Sequence, residues 1–215
     1  MPIKIDWSQI DTVLLDMDGT LLDLHFDNYF WLEYLPAVYA QKNNITLEKT
    51  IAKFKPLFIK YTGTLKWYSV DFWSEELGLD VMRHKEDIAN KINYRPQAQD
   101  FLALCREKVT DLRLVTNAHR KVLELKIAQT QLDQYFDVLV CSHELNAPKE
   151  EQAFWNSLQQ QQEFDLKRTL FIDDSESVLD SARKYGIKRL LSIEEPDSVK
   201  ARTSESKYQM IDSFF

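Results

Sequence analysis

Cysteine is almost missing from this 215-residue chain, which has only Cys105 and Cys141. Two thiols cannot staple a fold, so no disulfide framework is implied; both read as small core residues of a cytosolic protein. Long apolar runs are missing as well. Nothing approaches the roughly eighteen consecutive apolar residues that span a bilayer, and the amino terminus lacks the charged-then-apolar pattern of an export signal. The histidines His25, His84, His119 and His143 are scattered without zinc-ligand spacing and read as surface or capping residues. Positive charge is in deficit, with 27 basic against 34 acidic residues and a net charge of −7. That balance argues against a nucleic-acid-binding surface. No segment is repeated or of low complexity. The length can bury a full core and fits one domain with a substantial insertion.

What is present is a set of short apolar runs that each end in polar groups. In Thr12-Val13-Leu14-Leu15-Asp16-Met17-Asp18-Gly19-Thr20 the run has the length and apolarity of a buried parallel strand. Residues two apart in an extended chain point the same way, so Asp16 and Asp18 can converge beyond the strand. Gly19 then permits a sharp turn. Such a pair suits phosphoryl transfer: one carboxylate attacks phosphorus, the other handles the leaving-group proton, and a divalent ion makes both charges tolerable. An Asp-Gly hairpin turn is the plainer alternative.

Leu112-Arg113-Leu114-Val115 ends in Thr116 and Asn117, whose side chains can donate to an anionic oxygen. The same residues, with His119, could cap the helix implied by Val122, Leu123, Leu125 and Ile127, and helix N-termini also bind anions. At Ala147-Pro148-Lys149-Glu150-Glu151 a helix is expected to begin, with Pro148 in its first turn. A lysine is disfavoured at that positive end, which marks Lys149 as a functional candidate; otherwise it is a solvated surface lysine. Thr169-Leu170-Phe171-Ile172 ends in Asp173-Asp174-Ser175. Adjacent carboxylates repel unless they are solvated, capping or cation-bound; the readings are a double helix cap or a magnesium site.

Residues 1–22 supply the first strand. From about Asn28 to Lys91 the spacing turns helical, interrupted by Pro36 and Pro56, either of which can begin or kink a helix. Further helical stretches are expected near Leu65–Leu77 and Val81–Ile92. After Arg95-Pro96 the chain alternates: helix, strand at Leu112–Val115, helix, strand at Phe136–Cys141, helix, strand at Leu170–Ile172, helix, strand at Arg189–Ile193. Alternation of this kind predicts an α/β fold, a doubly wound, Rossmann-like parallel sheet. Ligands of such sheets sit at the carboxyl ends of the strands.

Four such runs in this order resemble the four signature motifs of the haloacid dehalogenase superfamily of phosphohydrolases. The resemblance implies a nucleophile at Asp16 and a general acid and base at Asp18. It implies that Thr116 and the backbone after it, with Asn117, hold phosphoryl oxygens, and that Lys149 offsets negative charge on Asp16 and the transferring group. Magnesium would take a carboxylate oxygen of Asp16, the backbone carbonyl of Asp18, Asp174 directly and Asp173 through water. Lys149 and magnesium would together reverse the repulsive field of an acidic protein toward a phosphate ester. One departure is that Val178 replaces the later Asp of one fourth-motif variant. Dehalogenating members lack an acid at the position of Asp18, so its presence favours phosphatase or phosphoryl transferase chemistry. The family also inserts a mobile helical cap after the first strand, giving a core of residues 1–22 and 94–215 and a cap of residues 23–93.

Most of the chain further resembles the bacterial purine 5'-nucleotidases that act on GMP and IMP. The matching runs are Thr12 through Leu24, Phe26-Asp27-Asn28-Tyr29-Phe30-Trp31, Trp67-Tyr68, Asp71-Phe72-Trp73-Ser74-Glu75, Leu77-Gly78-Leu79-Asp80, Thr116-Asn117-Ala118-His119, Pro148-Lys149-Glu150, Phe171 through Glu176 and Pro196-Asp197-Ser198. Ile45–Pro56 and the chain after Lys200 match poorly. The expectation is a cytoplasmic, magnesium-dependent phosphomonoesterase whose small-molecule substrate is a purine nucleoside monophosphate, with no nucleic-acid or membrane partner. The oligomeric state is open. Alternatives are a sugar-phosphate or phosphoglycolate phosphatase, a phosphomutase, or a non-catalytic phosphometabolite sensor. Trp67, Tyr68, Phe72 and Trp73 either stack on a purine or fill the cap's own core. Asn28, Trp31 and Asp71 are further candidates for reading the base.

Overall fold

The computed structural model describes residues 5–201 and 206–211. The apolar runs form β1 (Thr12–Leu15), β2 (Asp111–Thr116), β3 (Val138–Cys141), β4 (Thr169–Ile172) and β5 (Arg189–Ile193). A short edge strand, β6 (Gln209–Ile211), completes the sheet from the carboxy-terminal segment. The six strands are all parallel in the order β3-β2-β1-β4-β5-β6. Strand β3 begins two residues later than its apolar run suggests.

Parallel sheets need cover on both faces, and alternation along each strand supplies it. Val13, Leu15, Leu170 and Ile172 point into one apolar cluster, whereas Leu14, Phe171, Val140 and Leu190 point into another. The helices after β1 are α1 (His25–Tyr29), α2 (Leu35–Asn43), α3 (Leu47–Tyr61), α4 (Leu65–Tyr68), α5 (Val70–Leu77) and α6 (Val81–Glu86). The crossover helices are α7 (Ala98–Lys108), α8 (Arg120–Thr130), α9 (Gln152–Gln161) and α10 (Glu176–Tyr185). Both cysteines are buried and free, as expected.

Between His25 and Lys91 the chain is built of helices joined by short turns, and their boundaries follow local chemistry. Thr46, Thr64, Ser69 and Asp80 each cap a following helix by accepting a backbone N–H. A π-helical turn, Phe30–Tyr34, joins α1 to α2 without a break, and Pro36 is the second residue of α2, directly after that irregular turn. Pro56 lies inside α3. An aromatic cluster holds these helices together. Trp73 is fully buried, packs against Trp31, Phe58, Trp67 and Phe72 at centroid distances of 5.2–5.9 Å, and donates its indole N–H to Trp67 O at 2.8 Å. The cluster is continuous with the apolar layer on one face of the sheet.

Sheet order reverses at β1, with β2 and β3 on one side and β4, β5 and β6 on the other. A crevice therefore opens beyond the carboxyl ends of the central strands. All four polar motifs leave the sheet at that edge.

Truncation of Trp73 would open a cavity and leave Trp67 O without its donor. Trp73→Ala is expected to cost about 3–5 kcal/mol, measured by urea unfolding; a loss below about 1 kcal/mol would show the cluster to be loosely packed.

Candidate active site

Asp16 directly follows β1, its N–H donating to Ile172 O of β4 at 3.0 Å. Its carboxylate is buried, and Oδ1 accepts from Lys149 Nζ at 2.5 Å. Lys149 Nζ also donates to Asp173 Oδ2 at 2.7 Å and to Val115 O at 3.0 Å. One ammonium thus ties the ends of β1, β2 and β4 together. Burial opposes charge on Lys149, but Asp16 and Asp173 hold its pKa above the ordinary lysine value. Burial pushes Asp16 up to about 6 against the pull of Lys149.

Lys149 does not occupy a helix terminus. Helix α9 begins at Gln152 with Glu151 as its N-cap residue, so Pro148 lies ahead of the first turn rather than in it. The expected helix start is corrected by three side-chain bonds to this turn. Asn117 Oδ1 accepts the Lys149 N–H at 2.9 Å, Asn117 Nδ2 donates to Glu150 Oε2 at 3.0 Å, and Tyr68 Oη donates to Glu150 Oε1 at 2.6 Å. Asn117 therefore spends both polar atoms on the turn that carries Lys149. Thr116, at the end of β2, accepts the Ala118 N–H at 3.0 Å and keeps its hydroxyl proton to donate. His119 caps α8 by accepting the Lys121 N–H.

Asp173 and Asp174 follow β4. Asp173 is spent on Lys149 through Oδ2 and on the Ser175 N–H through Oδ1, at 2.9 Å. Ser175 occupies the N-cap position of α10 without a side-chain cap bond. Asp174 has no hydrogen-bond or salt-bridge partner among the described residues. Burial and the charges of Asp173 and Asp16 raise its pKa well above the carboxylate range. Gly19, at φ +80°, lies directly against it: a Cβ there would stand 2.5 Å from Asp174 Oδ2. Oxygens of Asp16, Asp173 and Asp174 come within 4.8 Å of one another. Three hard oxygen donors, one of them unpartnered and all of them crowded, are a set that a divalent cation fits.

Asp18 turns the other way. Its Oδ1 accepts from Lys126 Nζ at 2.5 Å, Lys126 also donates to Asp27 Oδ2 at 2.6 Å, and Asp27 Oδ1 accepts from Lys85 Nζ at 2.7 Å. Burial pushes Asp18 up to about 6, opposed by Lys126. Asp27 is held well below the usual range, since Lys126 and Lys85 outweigh its burial.

Between the sheet edge and the helical segment lies a cavity of about 320 Å³, lined from one side by Asp16, Asp18, Thr116 and Asp174 and from the other by Trp31, Trp67, Tyr68 and Lys85. Of the four clustered aromatics, Trp67 and Tyr68 face it, while Phe72 and Trp73 pack among the other rings. Asn28 also lines it. The Asn28 Nδ2 donates to Asp197 Oδ2 at 2.6 Å, leaving the amide oxygen without a partner among the described residues. Asp71 instead pairs with Lys121 at 2.6 Å, more than half exposed. His119 and His143 are not scattered: their rings meet at 4.9 Å.

Sequence reasoning missed Lys126, Lys85, Asp27 and Glu150. A signal existed for the two lysines. Lys126 falls three and four residues after Leu123 and Val122, on the buried stripe of α8, and Lys85 falls four after buried Val81 on α6.

Comparison with known proteins agrees with this geometry. Residues 13–191 match the model of the haloacid dehalogenase-like hydrolase family. The chain is 39% identical over 209 residues to the GMP/IMP nucleotidase YrfG of Escherichia coli and to that of Shigella flexneri, covering 97% of this chain and 93% of each relative. Among solved structures, a HAD phosphatase from Thermococcus onnurineus superposes with a TM-score of 0.76 at 22% identity, over 94% of this chain and 93% of that one. An L-2-haloacid dehalogenase from Xanthobacter autotrophicus gives 0.61 at 15% identity, over 95% of each chain. The chain belongs to the haloacid dehalogenase-like hydrolases.

Removing Lys149 would leave Asp16 and Asp173 facing each other without their shared cation. Lys149→Met is expected to cost about 3–5 kcal/mol in urea unfolding. Adding Asp16→Asn to it should return part of that loss. A double variant as unstable as the sum of the singles would contradict the shared-cation geometry.

Proposed function

From membership of this hydrolase family, we propose that the protein releases phosphate from purine nucleoside 5'-monophosphates through an aspartyl-phosphate on Asp16. The cavity carries the reading. Its polar end holds a buried nucleophile with a cation at 2.5 Å, and its other end is walled by Trp31, Trp67 and Tyr68, surfaces that suit a flat heterocycle. The similarity to nucleotidases over nearly the whole chain supports the same substrate class.

In this reading Asp16 Oδ attacks phosphorus in line with the ester oxygen. Asp18 gives the departing ribose oxygen its proton, then takes one from the water that hydrolyses the aspartyl-phosphate. The Thr116 hydroxyl and the backbone after it donate to the equatorial oxygens, and Lys149 balances their charge. Asn117 acts by holding the Lys149 turn. Asp16, the carbonyl of Asp18 and Asp174 would hold magnesium, with Asp173 behind, since Asp174 is the carboxylate free of other partners. The ion would supply charge neutralisation at the phosphoryl group. Residues 23–93 act as a cap over a core of 1–22 and 94–215. The cap sets the substrate and excludes water.

The test is phosphate release with magnesium across nucleoside monophosphates, sugar phosphates and phosphoglycolate, with Asp16→Asn as the blank. Purine nucleotides should lead, Asp16→Asn should be inactive yet folded, and chelator should stop turnover reversibly. A sugar phosphate in the lead would overturn the substrate assignment, and magnesium-independent turnover would overturn the metal.

Thermal unfolding gives an independent check of the ion. Magnesium at about a hundred times its Kd should stabilise the wild type by about 2.7 kcal/mol. Asp174→Asn should lose most of that gain; an undiminished gain would place the ion elsewhere.

A further inference from the structure

Lys126 is 1% exposed, although a methionine or leucine would fill the same space on α8 without the desolvation of an ammonium group. Its Nζ donates to Asp18 Oδ1 and to Asp27 Oδ2, and it lies over the Phe26 ring at 5.2 Å. From Asp27 the contacts continue to Lys85, itself 2% exposed and seated over Phe30 at 4.3 Å. An unbroken chain of charged groups, Asp18–Lys126–Asp27–Lys85, therefore runs from the loop after β1, through α8, to α1 and α6 of the helical segment. The proposed chemistry leaves three of its four members without a role.

The contact geometry suggests that role. A carboxyl group whose Oδ1 accepts from an ammonium carries its own proton on Oδ2. Lys126 thus fixes which oxygen of Asp18 exchanges protons and where it points. Asp27 draws on the same ammonium from the helical segment, so the position of Lys126 depends on how that segment is seated. We propose that Lys126 is a positioning residue that presents Asp18 Oδ2 to the leaving-group oxygen, and that Asp27 and Lys85 tie this orientation to closure of the helical segment. The inference rests on the assignment of Asp18 as acid and base.

It is tested by comparing kcat/KM, which reports the step that expels the leaving group, on two esters. Inosine monophosphate has an alkoxide leaving group that needs a proton; p-nitrophenyl phosphate has one that does not. Lys126→Met should lower kcat/KM for the nucleotide by about a hundredfold and for the aryl ester by less than about tenfold, the pattern of lost general acid catalysis. Asp18→Asn should show the same bias, and the double variant should be no worse than Asp18→Asn alone. Lys85→Met should give a smaller loss with the same bias. If Lys126→Met does not fold, Lys126→Gln is read in the same way.

Equal losses on both esters, or losses that multiply in the double variant, would reduce Lys126 to a structural residue and overturn the inference while leaving the acid assignment intact. An unbiased loss in Asp18→Asn would overturn both. An unbiased Lys85→Met would sever the tie to the helical segment and overturn that part.

Discussion

The architecture turns on one buried ammonium. Asp16 and Asp173 come from neighbouring strands whose ends must register for the sheet to form, and their carboxylates would otherwise repel in a region shielded from water. Lys149 bonds both, together with a carbonyl at the end of β2. The turn that delivers it is itself braced by Asn117 and, through Glu150, by Tyr68 of the helical segment. The main-chain course around Lys149 is therefore dictated by side chains rather than by helix formation, which is why α9 starts only at Gln152. A lysine with this duty cannot be replaced by its own solvation, and its burial follows.

A second ammonium repeats the device on the other side of β1. Lys126 stands between Asp18 and Asp27 as Lys149 stands between Asp16 and Asp173. The two carboxylates of the first motif, although only two residues apart, are thus drawn to different cations and kept from collapsing onto each other. The separation leaves each carboxylate with a cation of its own, Lys149 for Asp16 and Lys126 for Asp18. The aromatic cluster around Trp73 complements this polar arrangement. It stiffens the helical segment so that Trp31, Trp67 and Tyr68 form a wall, and the charged chain through Asp27 and Lys85 registers that wall against the sheet.

Much of this was legible in the sequence because it is local. Strand periodicity followed by paired acids identified β1 and β4 and their polar ends. The alternation of elements after Arg95 gave the sheet, and the change of period between β1 and α7 marked the helical insertion. What stayed hidden depends on partners far apart in the chain. Lys126 and Asp18 are 108 residues apart and Lys85 and Asp27 are 58 apart, so no window of sequence contains the reason for either lysine. Both sit on otherwise apolar helical stripes, where a lone lysine is the one local sign of a buried partner. Strand β6 is three residues long and partly exposed, too short for periodicity to register. His119 and His143 meet only because β2 and β3 are neighbours, a consequence of topology rather than of spacing.

Asp174 completes the logic of the site. Lys149 and Lys126 each neutralise a pair of carboxylates, which leaves Asp174 packed on Gly19 with no paired cation among the described residues. A protein optimised for stability alone would place an apolar or hydrogen-bonded residue there. Gly19 has left-handed backbone geometry and no side chain, and both properties are needed for the carboxylate to come so close to the loop of the first motif. Two local compromises, an unpartnered acid and a glycine in a turn, thus converge on one point beside Asp16. The repulsion among Asp16, Asp173 and Asp174 is relieved by a proton, which their burial favours on Asp174, or by a cation that their oxygens could hold.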